Sequence, residues 1–226
     1  NDQIRLGLLA VFIGTLGGGA GIAFREAIGL VQTLFFGFSS DHFHSNAADV
    51  SPWIILFAPA VGGLLVGLIV YYLMPDRRPQ GVADVMEASA FRRSKMSKRS
   101  GFGGFVVSAI TIGSGGSVGR EGPVVHFAAF LSTLISQILK LDPETRRLLL
   151  GCGVASGVAA SFNAPIAGVF FSLEVVIGSY ALRSFAPVVI ASVGGTLVSR
   201  SYFGDFPAFT IPVHEIASFW EFPAFA

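Results

Sequence analysis

The sequence predicts an all-α membrane protein built from tilted, discontinuous helices, and three observations carry that prediction. Hydrophobic residues fill 52% of the 226 positions, charged residues only 13%, and the mean hydropathy is +0.68. A soluble domain carries about 25% charged residues. The apolar residues come in long runs, several of them near the roughly 20 residues that span a bilayer as a helix. Finally, Gly113-Ser-Gly-Gly-Ser-Val-Gly-Arg-Glu-Gly-Pro123 sets an adjacent Arg120–Glu121 pair between two such runs. A proline suits the first turn of a helix, where its missing N–H removes nothing. The segment therefore predicts a glycine-rich break opening into a helix at membrane depth, with Glu121 at its N-terminal, dipole-positive end.

Residues 4–38 are long enough for one tilted span, with Gly14, Gly17, Gly18, Gly19 and Gly21 clustered inside it. Arg25 and Glu26 interrupt that run and are expected to anchor a helix end. A polar connection with Asp41, His42, His44 and Asp49 follows. Residues 53–73 form a clean second span in which Gly63 and Gly67 stand in small-xxx-small spacing, a close-packing signal in lipid.

Residues 74–100 then hold Arg77, Arg78, Arg92, Arg93, Lys95, Lys98 and Arg99, which is 7 of the chain's 15 Lys and Arg. The positive-inside rule makes this connection cytoplasmic, along with Lys140, Arg146 and Arg147 around Asp142-Pro143. The basic loops 75–100 and 140–147 thus share one side. Residues 101–114 run outward and 124–139 inward, each arm short for a full crossing at about 1.5 Å per residue. Such broken helices are tolerated in a bilayer only where they are buried in protein or line a cavity.

Residues 148–161 read as a Gly- and Ala-rich helix, broken at Phe162-Asn-Ala-Pro165 because the residue before a proline is pushed out of the α region. A helix over 166–178 follows and carries Glu174. An apolar segment over 186–198 leads into an aromatic, proline-bearing stretch over 202–212 that suits an outer interface. The chain opens without a Met and stops inside another apolar stretch, so it reads as part of a longer protein.

Several function classes drop out. Gly115-Gly-Ser-Val-Gly119 fits the nucleophile elbow of hydrolases, but that elbow needs a strand before it and His and acid partners after it. No phosphate-binding lysine motif, zinc-ligand spacing or dinucleotide fingerprint occurs, so neither a cofactor nor a metal is expected. A net charge of +1 gives no reason to expect nucleic acid. The single Cys152 excludes a disulfide framework and reads as a small core residue. His126, one turn into its helix, reads as packed or hydrogen-bonded.

Taken together, residues 113–123 resemble the glycine–basic–Glu-Gly-Pro signature of the CLC chloride channels and chloride/proton antiporters. Ser161-Phe-Asn-Ala-Pro-Ile-Ala-Gly168 is similar to that family's second well-known stretch. The resemblance implies the CLC fold, an all-helical homodimer with one anion path per subunit. Each subunit would be two inverted repeats, with 1–212 as the first repeat and 213–226 as the start of the second. It implies no enzyme activity. Carried over by position, Glu121 is the gating glutamate, and Arg120 and Gly122 flank it at an anion-binding helix end. A lone carboxylate at mid-membrane costs at least about 2.5–3.5 kcal/mol, and one helix N-terminus returns roughly 0.3–2 kcal/mol. Several helix ends must therefore converge there, and a nearly balanced site is one that an anion can take over.

Pro79-Gln-Gly-Val-Ala-Asp84 stands where the family places Gly-Ser-Gly-Ile-Pro-Glu, at a short helix aimed at the central anion. Gln80, Gly81 and Val82 are the implied anion contacts. Gln80 replaces the family serine, which leaves chloride, nitrate and fluoride open as cargo. Proton-coupled members often carry two successive glutamates after the Asn-Ala-Pro helix. Here they are Glu174 and Val175, and valine carries no proton. The expectation is uncoupled, channel-like transport of chloride or similar anions, with Glu174 a structural, hydrogen-bonded acid. The alternatives are a proton-coupled antiporter and a structural half-domain, inactive without its second repeat.

Overall fold

The computed structural model describes residues 2–38 and 50–204, and those residues form helices with no strand among them. In chain order they are α1 Asp2–Phe36, α2 Pro52–Leu73, α3 Val82–Ala90, α4 Lys98–Gly113, α5 Glu121–Ile138, α6 Pro143–Phe162, α7 Pro165–Phe171 and α8 Leu182–Phe203. A turn of 3-10 helix, Pro75–Arg77, precedes α3, and a π-helical turn, Ser172–Ile177, continues α7. Three of these helices are long and apolar enough to cross a membrane: α1, α2 and α8. At about 1.5 Å per residue the 35 residues of α1 reach roughly 50 Å. That exceeds a hydrocarbon core of about 30 Å and requires tilt.

The molecule is organised around α6. Every residue of α6 from Leu148 to Ala159 is buried, and α1, α5, α7 and α8 all pack on it. A helix apolar all round is stable only when surrounded, which is what Leu149, Leu150, Cys152, Val154 and Ala155 experience at 0% exposure. Small residues set the spacing. A Cβ at Gly14 would come within 2.5 Å of the Ala191 carbonyl oxygen, and one at Gly18 within 2.7 Å of the Gly195 carbonyl oxygen. The α1–α8 crossing therefore needs glycine. Serine hydroxyls tie neighbouring helices through carbonyl groups: Ser172 donates to Gly151 at 2.7 Å, Ser192 to Pro165 at 2.7 Å and Ser199 to Ala160 at 3.0 Å.

Helix ends follow local chemistry. Asp142 caps α6, its carboxylate accepting the Thr145 amide at 2.9 Å with Pro143 in the first turn. That hydrogen bond holds the Asp142 carboxyl below its ordinary range. The cap explains why α6 starts five residues before the apolar run expected at 148. At the other end Asn163 adopts the left-handed conformation, φ 54°, which Asn tolerates better than most residues. Its side-chain oxygen accepts from Arg200 Nε at 2.6 Å, binding the break to the end of α8.

Some expectations need correction. Gly63 and Gly67 face open space; the close approach in α2 is made by Ala58 and Gly62, the latter against the side chain of Ser114. Small-xxx-small spacing is present but five residues earlier, on another face of the helix, because the buried stripe is set by which face meets α4. Arg25 and Glu26 do not mark a helix end. They sit inside α1, where the Arg25 guanidinium stacks 4.2 Å over the Phe203 ring and Glu26 accepts from the Tyr202 hydroxyl at 3.1 Å. The expected helix over 166–178 splits into α7 and the π turn, ended by Gly178 at φ 66°. The apolar segment at 186–198 is the middle of α8. Of the aromatic stretch at 202–212, Tyr202 and Phe203 close α8 and residues 205–212 lie outside the described residues. So do Asp41, His42, His44, Asp49 and the start of a second repeat at 213–226.

The α1–α8 crossing yields a stability test. Overpacking a close-packed contact costs about 1–3 kcal/mol. Gly14→Val or Gly18→Val should thus lower the thermal unfolding midpoint of the purified complete protein by several degrees. Gly63→Ala, in open space, should leave it within error, and equal losses for both positions would contradict the packing described.

Candidate functional site

Helix α5 starts where the break ends. Arg120 is its N-cap and Glu121 its first residue, and Pro123 fits the first turn. The first bond inside the helix runs from the Val124 amide to the Arg120 carbonyl at 3.3 Å. The Glu121 and Gly122 amides precede it and have no acceptor among the described residues. They form the open, dipole-positive end that the sequence predicts.

The Glu121 carboxylate folds back over the break. Its Oε2 lies 2.8 Å from where a Cβ on Gly119 would sit, so glycine at that position makes room for the acid. Glu121 is half-buried and has no hydrogen bond or ion pair among the described residues. Adjacent helix residues do not face each other, and no Arg120–Glu121 salt bridge forms.

A second open helix end belongs to α3. Gly81 is its N-cap, and the Asp84 carboxylate accepts the Gly81 amide at 2.8 Å, half of a capping box. Arg78 clasps the same carboxylate, its two terminal nitrogens 3.3 and 2.5 Å from the two Asp84 oxygens. The Val82 and Ala83 amides remain without an acceptor among the described residues. Gln80 stands half-buried just before this end, its amide making no hydrogen bond among the described residues. Asp84 thus serves as a cap and Arg78 as its counter-ion. The Asp three positions after Gly81 is a signal for the cap in the sequence; the bond from Arg78 carries no such signal.

One apolar cluster joins these elements. Val82 of α3, Val125 of α5, Phe162 of α6, Phe171 of α7 and Val175 of the π turn pack around buried Val85, Val154, Val158 and Val176. Val175, the position suspected of having lost a proton relay, is part of that apolar wall. Glu174 points elsewhere: it is exposed and accepts from the Tyr180 hydroxyl at 3.3 Å. It is hydrogen-bonded, as expected. Successive residues of a helical turn point in directions roughly 100° apart, and here one faces the apolar cluster and the other does not. His126, 1% exposed, is packed against Gly104, and its Nε2 makes no hydrogen bond. Ser89 and Arg147 fix the π turn to its neighbours, donating to the carbonyls of Val176 at 2.8 Å and Ile177 at 2.9 Å. Sequence reasoning missed both contacts, which join residues 30 and 87 positions apart.

Ser117 of the apparent nucleophile elbow lies exposed in the break between two helices, without the strand that such an elbow requires. No group of three or more metal-ligating side chains occurs among the described residues.

Comparisons with known proteins agree with this architecture. Residues 62–226 match the family model described as voltage gated chloride channel. A protein of Ralstonia nicotianae, named as ClcB-like among chloride channel proteins, is 33% identical over 217 residues, covering 94% of this chain and 50% of that protein. The voltage-gated ClC-type chloride channel ClcB of Escherichia coli is 34% identical over 200 residues, covering 85% of this chain and 46% of its own length. The crystal structure of a CLC-type fluoride/proton antiporter superposes with a TM-score of 0.74 at 25% identity, over 98% of this chain and 52% of that one. A slow cyanobacterial Cl⁻/H⁺ antiporter shares the fold alone, with a TM-score of 0.72 at 20% identity, over 96% of this chain and 52% of its own. The chain spans about half the length of the relatives it matches. With its broken helices, its Gly-Arg-Glu-Gly-Pro helix start and a family match over most of its length, the chain is an integral membrane protein of the CLC, or voltage gated chloride channel, family.

Proposed function

We propose that the complete protein carries chloride or a similar small anion across its membrane without proton coupling, with Glu121 as the gate. The observation that carries this reading is the pairing of an unpartnered Glu121 carboxylate with open amides at the start of α5. An anion competes for the same amides as the carboxylate. When Glu121 is displaced or protonated, those amides, together with Val82 and Ala83 at the start of α3, accept the anion's charge. Arg120 and Gly122 flank the first end, and Gln80 and Gly81 the second. Gln80 brings two amide N–H donors and a competing carbonyl oxygen where the family resemblance implies a serine hydroxyl. In this reading the basic loops 75–100 and 140–147 face the cytoplasm, residues 1–212 form the first inverted repeat, and the working unit is a homodimer.

A second reading, a proton-coupled antiporter, draws on the two structural neighbours, one a fluoride/proton and the other a Cl⁻/H⁺ antiporter. Against it stands Val175 inside an apolar cluster, where a relay would require a titratable side chain. Glu174 is the acid nearest that position, and it is turned to Tyr180.

Glu121→Ala in the complete protein should leave anion efflux from liposomes intact while removing its dependence on pH and voltage, since the helix amides remain. Efflux abolished in a folded Glu121→Ala protein would instead mark the acid as structural. For coupling, the reversal potential of the reconstituted protein should follow the anion's Nernst value, about 59 mV per tenfold gradient for a monovalent ion, and ignore a pH gradient. A potential that shifts with the proton gradient, and stops doing so in Glu174→Gln, would assign the protein to the antiporters and the relay to Glu174.

A further inference from the structure

We infer that the cavity between the starts of α6 and α8 binds a phosphate group, presented by an anionic phospholipid or by phosphate in solution. The cavity measures about 220 Å³ and is walled by Leu6 of α1, Thr145 and Arg147 of α6, and Arg183 and Ser184 of α8. Ser179 and Ala181, in the turn that links Gly178 to α8, also line it, as do the Glu144 carboxylate and the apolar Leu148 and Ile177. It falls below the roughly 300–1,000 Å³ typical of drug-sized ligands and suits a headgroup.

Its charge is the main argument. Arg147 is fixed from behind by two neutral acceptors, the Ile177 carbonyl at 2.9 Å and the Ser89 hydroxyl at 3.3 Å. A guanidinium has five N–H donors, so three remain beyond those bonds. No carboxylate pairs with Arg147 among the described residues. Across the cavity Arg183 meets Glu144 at 3.1 Å, but both side chains are largely exposed, at 69% and 77%. A pair so exposed is worth little, and a phosphate offering several oxygens competes well for a forked donor. Two guanidiniums therefore face one carboxylate. The first turn of α8 adds to them: its N-cap Ala181 supplies no side-chain cap, and the Leu182 and Arg183 amides precede the first helical bond, from Ser184 to Ala181 at 2.8 Å.

The position suits a lipid. The cavity opens at the ends of two span-length helices, α1 and α8, where headgroups lie. Leu182, 84% exposed, and Tyr180, 56% exposed, stand beside it, an apolar and an amphipathic side chain of the kind found at that depth. Nothing in the transport proposal requires this site, and the two stand or fall separately.

Native mass spectrometry of the complete protein, equilibrated with equal amounts of phosphatidylglycerol and phosphatidylcholine, tests it. The wild-type protein should retain phosphatidylglycerol preferentially, and Arg183→Gln should weaken that retention by roughly threefold to tenfold, the loss of a charge-assisted contact. Arg147→Gln with Arg183→Gln should abolish the preference. In a parallel arm, millimolar inorganic phosphate that raises the unfolding midpoint of the wild type but not of Arg183→Gln, with no lipid preference, assigns the site to soluble phosphate. A preference for phosphatidylglycerol, or a midpoint shift with phosphate, that is unchanged in Arg183→Gln would overturn the site. So would the absence of both in the wild type. Arg183 is exposed and its one ionic contact is with Glu144, so its variant decides the matter even where the double variant does not fold.

Discussion

Every peptide group that a lipid-embedded chain leaves unbonded must be answered by the protein itself, and this constraint shapes the rest of the structure. A helix that starts or stops at membrane depth exposes its terminal amides or carbonyls at a cost of several kcal/mol each. The chain nevertheless breaks twice, before α5 and between α6 and α7. It tolerates those breaks because neighbouring helices come close enough to exclude lipid. That closeness depends on glycine and alanine at the α1–α8 and α6 crossings, and on serine hydroxyls donating to carbonyls on adjacent helices. The break after α6 closes locally, through the left-handed Asn163 and its bond from Arg200. The break before α5 stays open, with amides and a carboxylate left without partners among the described residues.

That difference connects packing with function. A polar group withdrawn from water without a partner is normally a defect, yet the half-buried Glu121 and the amides around it sit on one of the most thoroughly packed helices of the fold, where Val124 to Phe130 are all buried. A rigid framework around such a carboxylate suits the gating role proposed for Glu121, in which the site would bind an anion well enough to admit it and not so well as to hold it. The other ionic contacts near helix ends are committed. Asp84 is bonded to Gly81 and Arg78, Asp142 to Thr145, and Asn163 to Arg200. Glu121 keeps its carboxylate without a partner among the described residues, and Arg147, near the start of α6, keeps N–H donors beyond its two neutral acceptors.

Much of this was legible in the chain because the signals are local. Long apolar runs name the spans, Pro123 and Pro165 mark helix starts, and a Gly/Ser tract beside Arg-Glu marks a helix end. Asp84 after Gly81 marks a cap. Each rests on the geometry of a few consecutive residues, which a sequence states directly. The resemblance in residues 113–123 and 161–168 points to the family for the same reason, since short motifs encode backbone shape.

What only the tertiary structure decided is which faces meet. Both Ala58-xxx-Gly62 and Gly63-xxx-Gly67 are present in α2, and contact with α4 selects the first. Arg25 and Glu26 resemble a helix end until Tyr202 and Phe203, more than 170 positions away, supply partners inside α1. The π turn that carries Glu174 and Val175 has no mark of its own, and Arg147 finds the Ile177 carbonyl only when α6 and that turn are brought together. The sequence by itself determined the helices, their breaks and the acid at the break, because hydropathy and backbone preference act within one turn or span. The register between helices was left to packing, where a shift of one residue turns a side chain by about 100° around the axis and exchanges one set of neighbours for another.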